Sequence, residues 1–412
     1  MNLDSNEYPP YKDEIESAIA LFYGGNVEEA ISKIDDLIRE HGEQLDLVIW
    51  KTYMLALSGN PDSAYEYMKD YEDTFKDHAE YWTQRGFIRL FMNDLFEAQE
   101  DFKKALEIDP KSYHATIGHA YVLYQLSLLL TVDEKDLENA LSMLAERRKD
   151  GFDTGELHTL IGLIKNALGR KKEALEDLIT GYLKGVKEAL STIVDICESL
   201  GDYSPINKLL ESGISYEMLE NTLENIGDYD SYLILATRHL REEYSDNLCI
   251  KCINIAFNVE RYDIAEDLLN MFIERHPEDI MAKRLLGEAY VYQGELNRGL
   301  EILLPLQENF SGDSTYLNVL GYVYYSLGKP EVAYKYFLDS VKADPNNASA
   351  WTNLGIYHYE MGDTSKAKEY LEKAIALNPE LKTAKYYLMA IYKEIGDEEN
   401  YRRIKDSLEA GF

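Results

Sequence analysis

Glycine and proline recur along this chain at an interval of 34 residues, and that interval decides what the chain can become. Gly287, Gly321 and Gly355 are one interval apart, as are Pro345 and Pro379, and Pro277 lies two intervals before Pro345. With the glycine as position 8 of a unit, units begin at 246, 280, 314, 348 and 382. The same frame fits the other end, with starts at 11, 45, 79 and 113. A period of this length marks a supersecondary unit that cannot bury its apolar face alone, so copies stack and share a continuous core.

The unit beginning at Ala348 shows the design. Trp351, Leu354, Gly355 and Tyr357 place an apolar stripe on a first helix, and Gly362-Asp363 breaks it. Ala367, Leu371 and Ala374 form the stripe of a second helix that ends at Asn378-Pro379. A glycine past a helix end adopts the left-handed cap conformation at little cost, and the Asp or Asn after it can cap the next helix. Gly25-Asn26 with Glu29 has capping-box spacing, and Gly59-Asn60-Pro61 adds a proline suited to the first helical position. Small residues at positions 8 and 20 (Gly86 with Ala98, Gly355 with Ala367) predict close approach of the two helices.

These residues resemble the tetratricopeptide repeat family, whose pattern carries Trp, Leu, Gly, Tyr, Ala, Phe, Ala and Pro at positions 4, 7, 8, 11, 20, 24, 27 and 32. The unit at Ala79 matches it with Trp82, Gly86, Ala98, Phe102, Ala105 and Pro110. The resemblance covers residues 11 to 412, with weak stretches. It implies an all-α fold, a right-handed superhelical solenoid of about twelve helix-turn-helix repeats. Residues 1–10 form an N-terminal tail, and residues 11–182 an N-terminal array with units near 11, 45, 79, 113 and 155. The fourth unit carries about eight extra residues around Leu126 to Asp133, a lengthened first helix or a longer turn. Residues 183–245 are a degenerate junction with units near 187 and 213, where the unit at 187 has room only for a short second helix. The C-terminal array, 246–412, ends in a capping helix. There Tyr401 fills a position expected to be small, and Arg402, Arg403 and Lys405 turn toward water.

Charge narrows the partner. Lys and Arg total 42 against 75 Asp and Glu, a formal charge of −33, which repels phosphate backbones and favours a basic protein partner over nucleic acid. With 45% apolar and 12% aromatic residues the acidity is no sign of disorder. Cys197, Cys249 and Cys252 make no disulfide framework, and the N-terminus has neither the basic nor the apolar region of a signal peptide. The most apolar stretch, Tyr121 to Val132, is too short to span a bilayer, so a cytoplasmic setting without membrane contact is expected.

Chemistry-bearing motifs are missing from the pattern. No phosphate loop, His-Glu-x-x-His or Gly-x-Ser-x-Gly occurs, so a non-catalytic role without cofactor or metal is expected. Cys249-Ile-Lys-Cys252 sits at positions 4 and 7, inside the helix–helix seam, where thiols act as small buried hydrophobes. His114 and His119 are five apart and so on different helix faces.

The candidate site comes from helical geometry. Positions 4, 7, 8 and 11 of each first helix face the second helix, so positions 2, 5, 9, 12 and 13 point to the far side. The family resemblance implies that this face lines a concave groove where ligands bind. In units one to four it carries Ile15, Ile19, Phe22, Tyr23, Ile49, Tyr53, Leu57, Phe87, Leu90, Phe91, Ile117, Tyr121 and Tyr124. Units five to seven turn acidic, with Glu156, Glu188, Asp195, Glu198, Glu217 and Glu224. Aromatics return with Tyr292, Tyr322, Tyr325, Tyr359 and Tyr386, and the basic residues at these positions are Lys12, Arg284 and Lys393. Tyrosine supplies rigid amphipathic contact area suited to binding. The competing reading has these aromatics packing on the neighbouring repeat, or the tail residues Leu3 and Tyr8 lying in the groove.

The leading expectation is a scaffold that grips an apolar or amphipathic peptide or helix of another protein, with acidic residues selecting basic flanks. A co-chaperone-type adaptor is a second reading. The clamp that the family branch implies, Lys at position 5 with Asn at position 9, is absent, since Asn254 has Ile250 beside it. A regulatory subunit and an RNA-binding helical array complete the alternatives.

Overall fold

The computed structural model describes residues 9–130 and 132–409, and the described residues are all-α. Leu3 and Tyr8 lie outside them. Chain contacts define two bodies, divided between Ile226 and Gly227.

In the first body α1 (Lys12–Tyr23) pairs with α2 (Val27–His41). α3 (Leu45–Leu57) pairs with α4 (Pro61–Lys69), which is followed by the single turn α5 (Glu72–Phe75). Next come α6 (Ala79–Phe91) with α7 (Leu95–Ile108), and α8 (Tyr113–Leu129) with α9 (Glu134–Lys149). Then α10 (Gly155–Ala167) pairs with α11 (Lys171–Leu183), and α12 (Ala189–Leu200) with α13 (Ser204–Glu211). α14 (Tyr216–Ile226) closes the body and packs on α12.

The second body opens with α15 (Tyr229–Glu242), packed on α16 (Asp246–Asn258) and α17 (Tyr262–Arg275). α18 (Ile280–Tyr292) pairs with α19 (Leu296–Leu303), and α20 (Ser314–Ser326) with α21 (Pro330–Ala343). α22 (Ala348–Glu360) with α23 (Thr364–Leu377), and α24 (Lys382–Ile395) with α25 (Glu398–Glu409), complete it.

Turn chemistry explains the hairpins. Gly362 takes φ 78°, which frees Asp363 to accept from the Lys366 N–H at the start of α23. The same device is absent where the sequence suggested it most. Asn26 and Asn60 make no side-chain cap bond, so the Gly25-Asn26-Glu29 capping box does not form, although Pro61 does open α4. Two of these turns hold a left-handed residue other than glycine, Asn93 and Glu260, both at φ 60°.

Close approach explains the small residues. A Cβ on Gly355 would sit 2.5 Å from Leu371 Cγ, and one on Gly86 would sit 2.8 Å from the Phe102 ring. Gly118 presses on the same ring from α8, where a Cβ would lie 2.3 Å away. Phe102 is fully buried between the two glycines, so one α7 side chain locks three helices.

Cores are local, as a stack of repeats requires. Val48, Met68, Tyr81, Trp82 and Ile88 form one cluster, and Leu371, Leu388, Tyr392 and Ile404 another. Cys249 and Cys252 are fully buried, with the Cys249 thiol 3.5 Å from the Leu268 carbonyl oxygen. A buried ion network holds the third hairpin. The Arg85 fork donates to both Asp101 oxygens at 3.0 and 2.8 Å, and Arg89 adds a 2.8 Å pair to the same carboxylate.

The extra residues of the fourth unit lengthen its first helix. α8 runs 17 residues against 13 in α6, and Leu128, Leu129 and Leu130 are exposed at its end. The second helix at 204–211 is short, with eight residues. In the second body Pro305 lacks an N–H, and α19 gives way there to a 3-10 turn, Leu304–Leu306.

Candidate partner-binding cleft

Three consecutive first helices of the first body enclose a cleft of about 400 Å³. Ile49, Trp50 and Tyr53 line it from α3, and Glu80, Thr83, Gln84, Phe87 and Phe91 from α6. Ser112, the N-cap of α8, and His114 close the third side. Position 9 of adjacent units supplies Tyr53 and Phe87, because each first helix repeats the face of the one before.

The aromatic wall continues beyond the cleft. Trp50 and Tyr53 meet edge to face, with centroids 5.7 Å apart at 88°, and Phe22 lies 6.5 Å from Tyr53. The Tyr23 and Tyr53 hydroxyls share a 3.1 Å hydrogen bond. Burial, followed by that bond, pushes the Tyr53 phenol up to about 12, so it stays protonated at neutral pH. Burial likewise lowers the His114 imidazole, against the pull of Glu156.

Sequence geometry sorts only part of this face correctly. Tyr23 is 67% exposed, Phe91 52% and Tyr121 40%, as a free binding surface requires. Phe87 does not lie free of the helix pairing, because its ring packs edge to face on Phe102 of α7 at 5.1 Å. Phe22 and Tyr124 are half-buried against neighbouring core clusters. Ile15 and Ile49 are buried outright. Phe87 and Ile15 show one cause: a side chain at the edge of the far face still reaches the partner helix of its own hairpin.

Trp50, Gln84 and Glu80 escaped the list of candidate residues. Trp50 and Gln84 occupy position 6, between the two stripes, and indole breadth lets Trp50 reach the cleft. Glu80 occupies position 2 and was legible from the same rule that picked Glu156.

The acidic residues occur on α10, α12 and α14 and at the α12 N-cap. Glu156, Glu188, Asp195, Glu198 and Glu217 are exposed, and Glu224 is half-buried. The Tyr203 hydroxyl donates to Glu198.

In the second body Tyr322 is exposed, Tyr325 tilts on Phe337 at 6.4 Å, and Tyr359 meets Tyr387 edge to face at 5.6 Å. Tyr292 stacks on Tyr262 at 4.9 Å. Arg284 is no free groove cation. It is buried and pairs with Glu288 at 2.7 Å and Asp313 at 2.6 Å.

A second cleft, of about 330 Å³, lies beside Arg148, Lys165 and Arg170. Its cations are already matched: Asp177 takes Lys165 at 2.7 Å and Arg148 at 3.5 Å, and Glu138 takes Arg170. Among the described residues no group of three His, Cys, Asp or Glu is placed to hold a metal, and no helix is long and apolar enough to cross a membrane.

Successive helical hairpins that pack on their neighbours define an α-helical repeat protein. Tetratricopeptide repeat models match residues 79–112, 284–348 and 348–381. The chain carries tetratricopeptide repeats over those residues, and in general terms such repeats build a protein-interaction scaffold. No curated protein matches it by sequence. Among solved structures, a chain of the Naa15/Naa10 complex bound to HypK-THB is similar at 14% identity, with a TM-score of 0.42 over 96% of this chain and 68% of that one. MamA is similar at 18% identity, with a TM-score of 0.33 over 39% of this chain and 95% of that one.

Proposed function

We propose that the chain grips an apolar or amphipathic segment of another protein in the cleft between α3, α6 and α8. The observation that carries this reading is the aromatic lining of an open cleft in a fold whose other aromatics are mostly packed. Phe91 is exposed and Trp50, Tyr53 and Phe87 are half-buried, and aromatic anchors that complete their burial on binding dominate affinity. The acidic residues at Glu156, Glu188, Asp195, Glu198, Glu217 and Glu224 extend the first body's negative field and favour basic flanks on the ligand.

The test uses the full chain and a synthetic amphipathic helical peptide of Leu, Ala and Arg. Phe91→Ala with Tyr121→Ala removes two exposed rings, each worth about 2 kcal/mol or more if it is an anchor. Binding should fall at least about thirtyfold per anchor with little change in melting temperature. Phe87→Ala serves as the contrast, since its ring packs on Phe102 and its loss should lower stability. If the double variant binds the peptide as well as the wild type does, the cleft is not the ligand site.

A further inference from the structure

We propose that the cleft between α3 and α6 is an arginine-capture site, which takes the guanidinium of an arginine side chain on the partner segment. This rests on the proposed function and adds the chemistry that the cleft selects. The molecule builds the same arrangement around its own arginines, and two of these, Arg85 and Arg284, are buried. Arg85 lies 4.2 Å over the Trp82 ring while its fork grips Asp101. Arg284 lies 4.8 Å over Phe310 and pairs with Asp313 and Glu288.

The cleft holds the rings and the carboxylate of that arrangement and lacks the cation. Trp50 and Tyr53 stand at 88° to one another on the α3 wall, so they offer two ring orientations, with Phe87 and Phe91 on the α6 wall. Glu80 contributes a carboxylate with no hydrogen bond or ion pair among the described residues. No Lys or Arg lines the space. A guanidinium is planar and weakly hydrated. Its faces stack on aromatic rings while its edge donates two N–H bonds to one carboxylate. A lysine ammonium keeps a tighter hydration shell and gains less from the same walls. A ligand carboxylate would meet Glu80 and the field of a chain with formal charge −33. The volume of about 400 Å³ leaves room for the arginine stem and an adjoining apolar side chain.

The experiment titrates the full chain, by calorimetry, with blocked peptides of Leu and Ala that carry one central residue. That residue is arginine, citrulline, lysine or trimethyl-lysine. Citrulline keeps the shape of arginine and removes the charge. The arginine peptide should bind about tenfold more tightly than the citrulline peptide. It should also bind more tightly than both lysine forms. Glu80→Gln should erase the arginine–citrulline difference without moving the melting temperature, because Glu80 is exposed and unpaired. Equal binding of the arginine and citrulline peptides overturns arginine capture and leaves the groove reading standing. Tighter binding of either lysine form also overturns it, in favour of an ammonium site. If no peptide of the set binds the wild-type chain, both readings fail together.

Discussion

His119 shows how one side chain can couple this fold to pH. It lies on α8, and its Nδ1 is buried without a hydrogen-bond partner. Burial pulls the imidazole down from its ordinary 6.5 to about 4; Lys103 on α7 adds to the effect, and Asp136 on α9 and Glu100 on α7 oppose it. A histidine kept neutral in the fold takes up a proton more readily once unfolded. Between pH 6.5 and 4 the unfolded chain therefore binds more protons, and stability falls with acidification across that window. The full effect is up to about 3 kcal/mol. His119→Gln keeps a polar side chain and removes the titration. Urea unfolding of both proteins from neutral pH down to pH 4 isolates the contribution of His119, since every other titratable group is common to the two. The wild type should lose stability relative to the variant as pH falls, and parallel curves would show that His119 protonates freely in the fold.

Among the elements, α8 and its neighbours show what the sequence could and could not reveal. Phe102 wedged between Gly86 and Gly118 predicts the cost of filling either gap. Gly118→Ala places a Cβ 2.3 Å from the ring and should cost about 1–3 kcal/mol. Phe102→Leu in the same chain should recover part of that loss, and additive losses in denaturant unfolding would mean that the helices simply move apart. The Gly86–Phe102 pairing was readable because positions 8 and 24 lie within one period. Gly118 was not, because it sits at position 6 and meets Phe102 across the next repeat. Phe87 marks a different limit: helical periodicity reports the angle of a side chain about its own axis, and not how far a ring at position 9 reaches toward position 24 of its own hairpin. Local breaks were mixed in legibility. The short α13 follows from the spacing of the turns. The 3-10 turn at Pro305 was also written in the sequence, yet the period alone conceals it. Asn93 and Glu260 hold left-handed turns that a search for glycine overlooks.

Taken as a whole molecule, the chain carries a field that should reveal itself through two opposite responses to salt. The excess of 75 acidic over 42 basic residues stresses the folded state, since folding concentrates like charges. At about 0.01 M salt the screening length is near 30 Å, so repulsion reaches across several repeats; at about 0.15 M it shrinks to about 8 Å. Raising sodium chloride over that range should therefore raise the melting temperature of the free chain. The same screening weakens attraction for a basic ligand, so affinity for the amphipathic arginine peptide should fall, chiefly through a slower association rate. The buried Arg85–Asp101 pair resists screening and should contribute to neither trend. Melting curves and stopped-flow association on one salt series measure both effects. A melting temperature that stays flat would mean that the acids are neutralised locally by their own ion pairs. An association rate indifferent to salt would show that the cleft recognises its ligand through apolar contact alone, and would remove charge from the account of the partner.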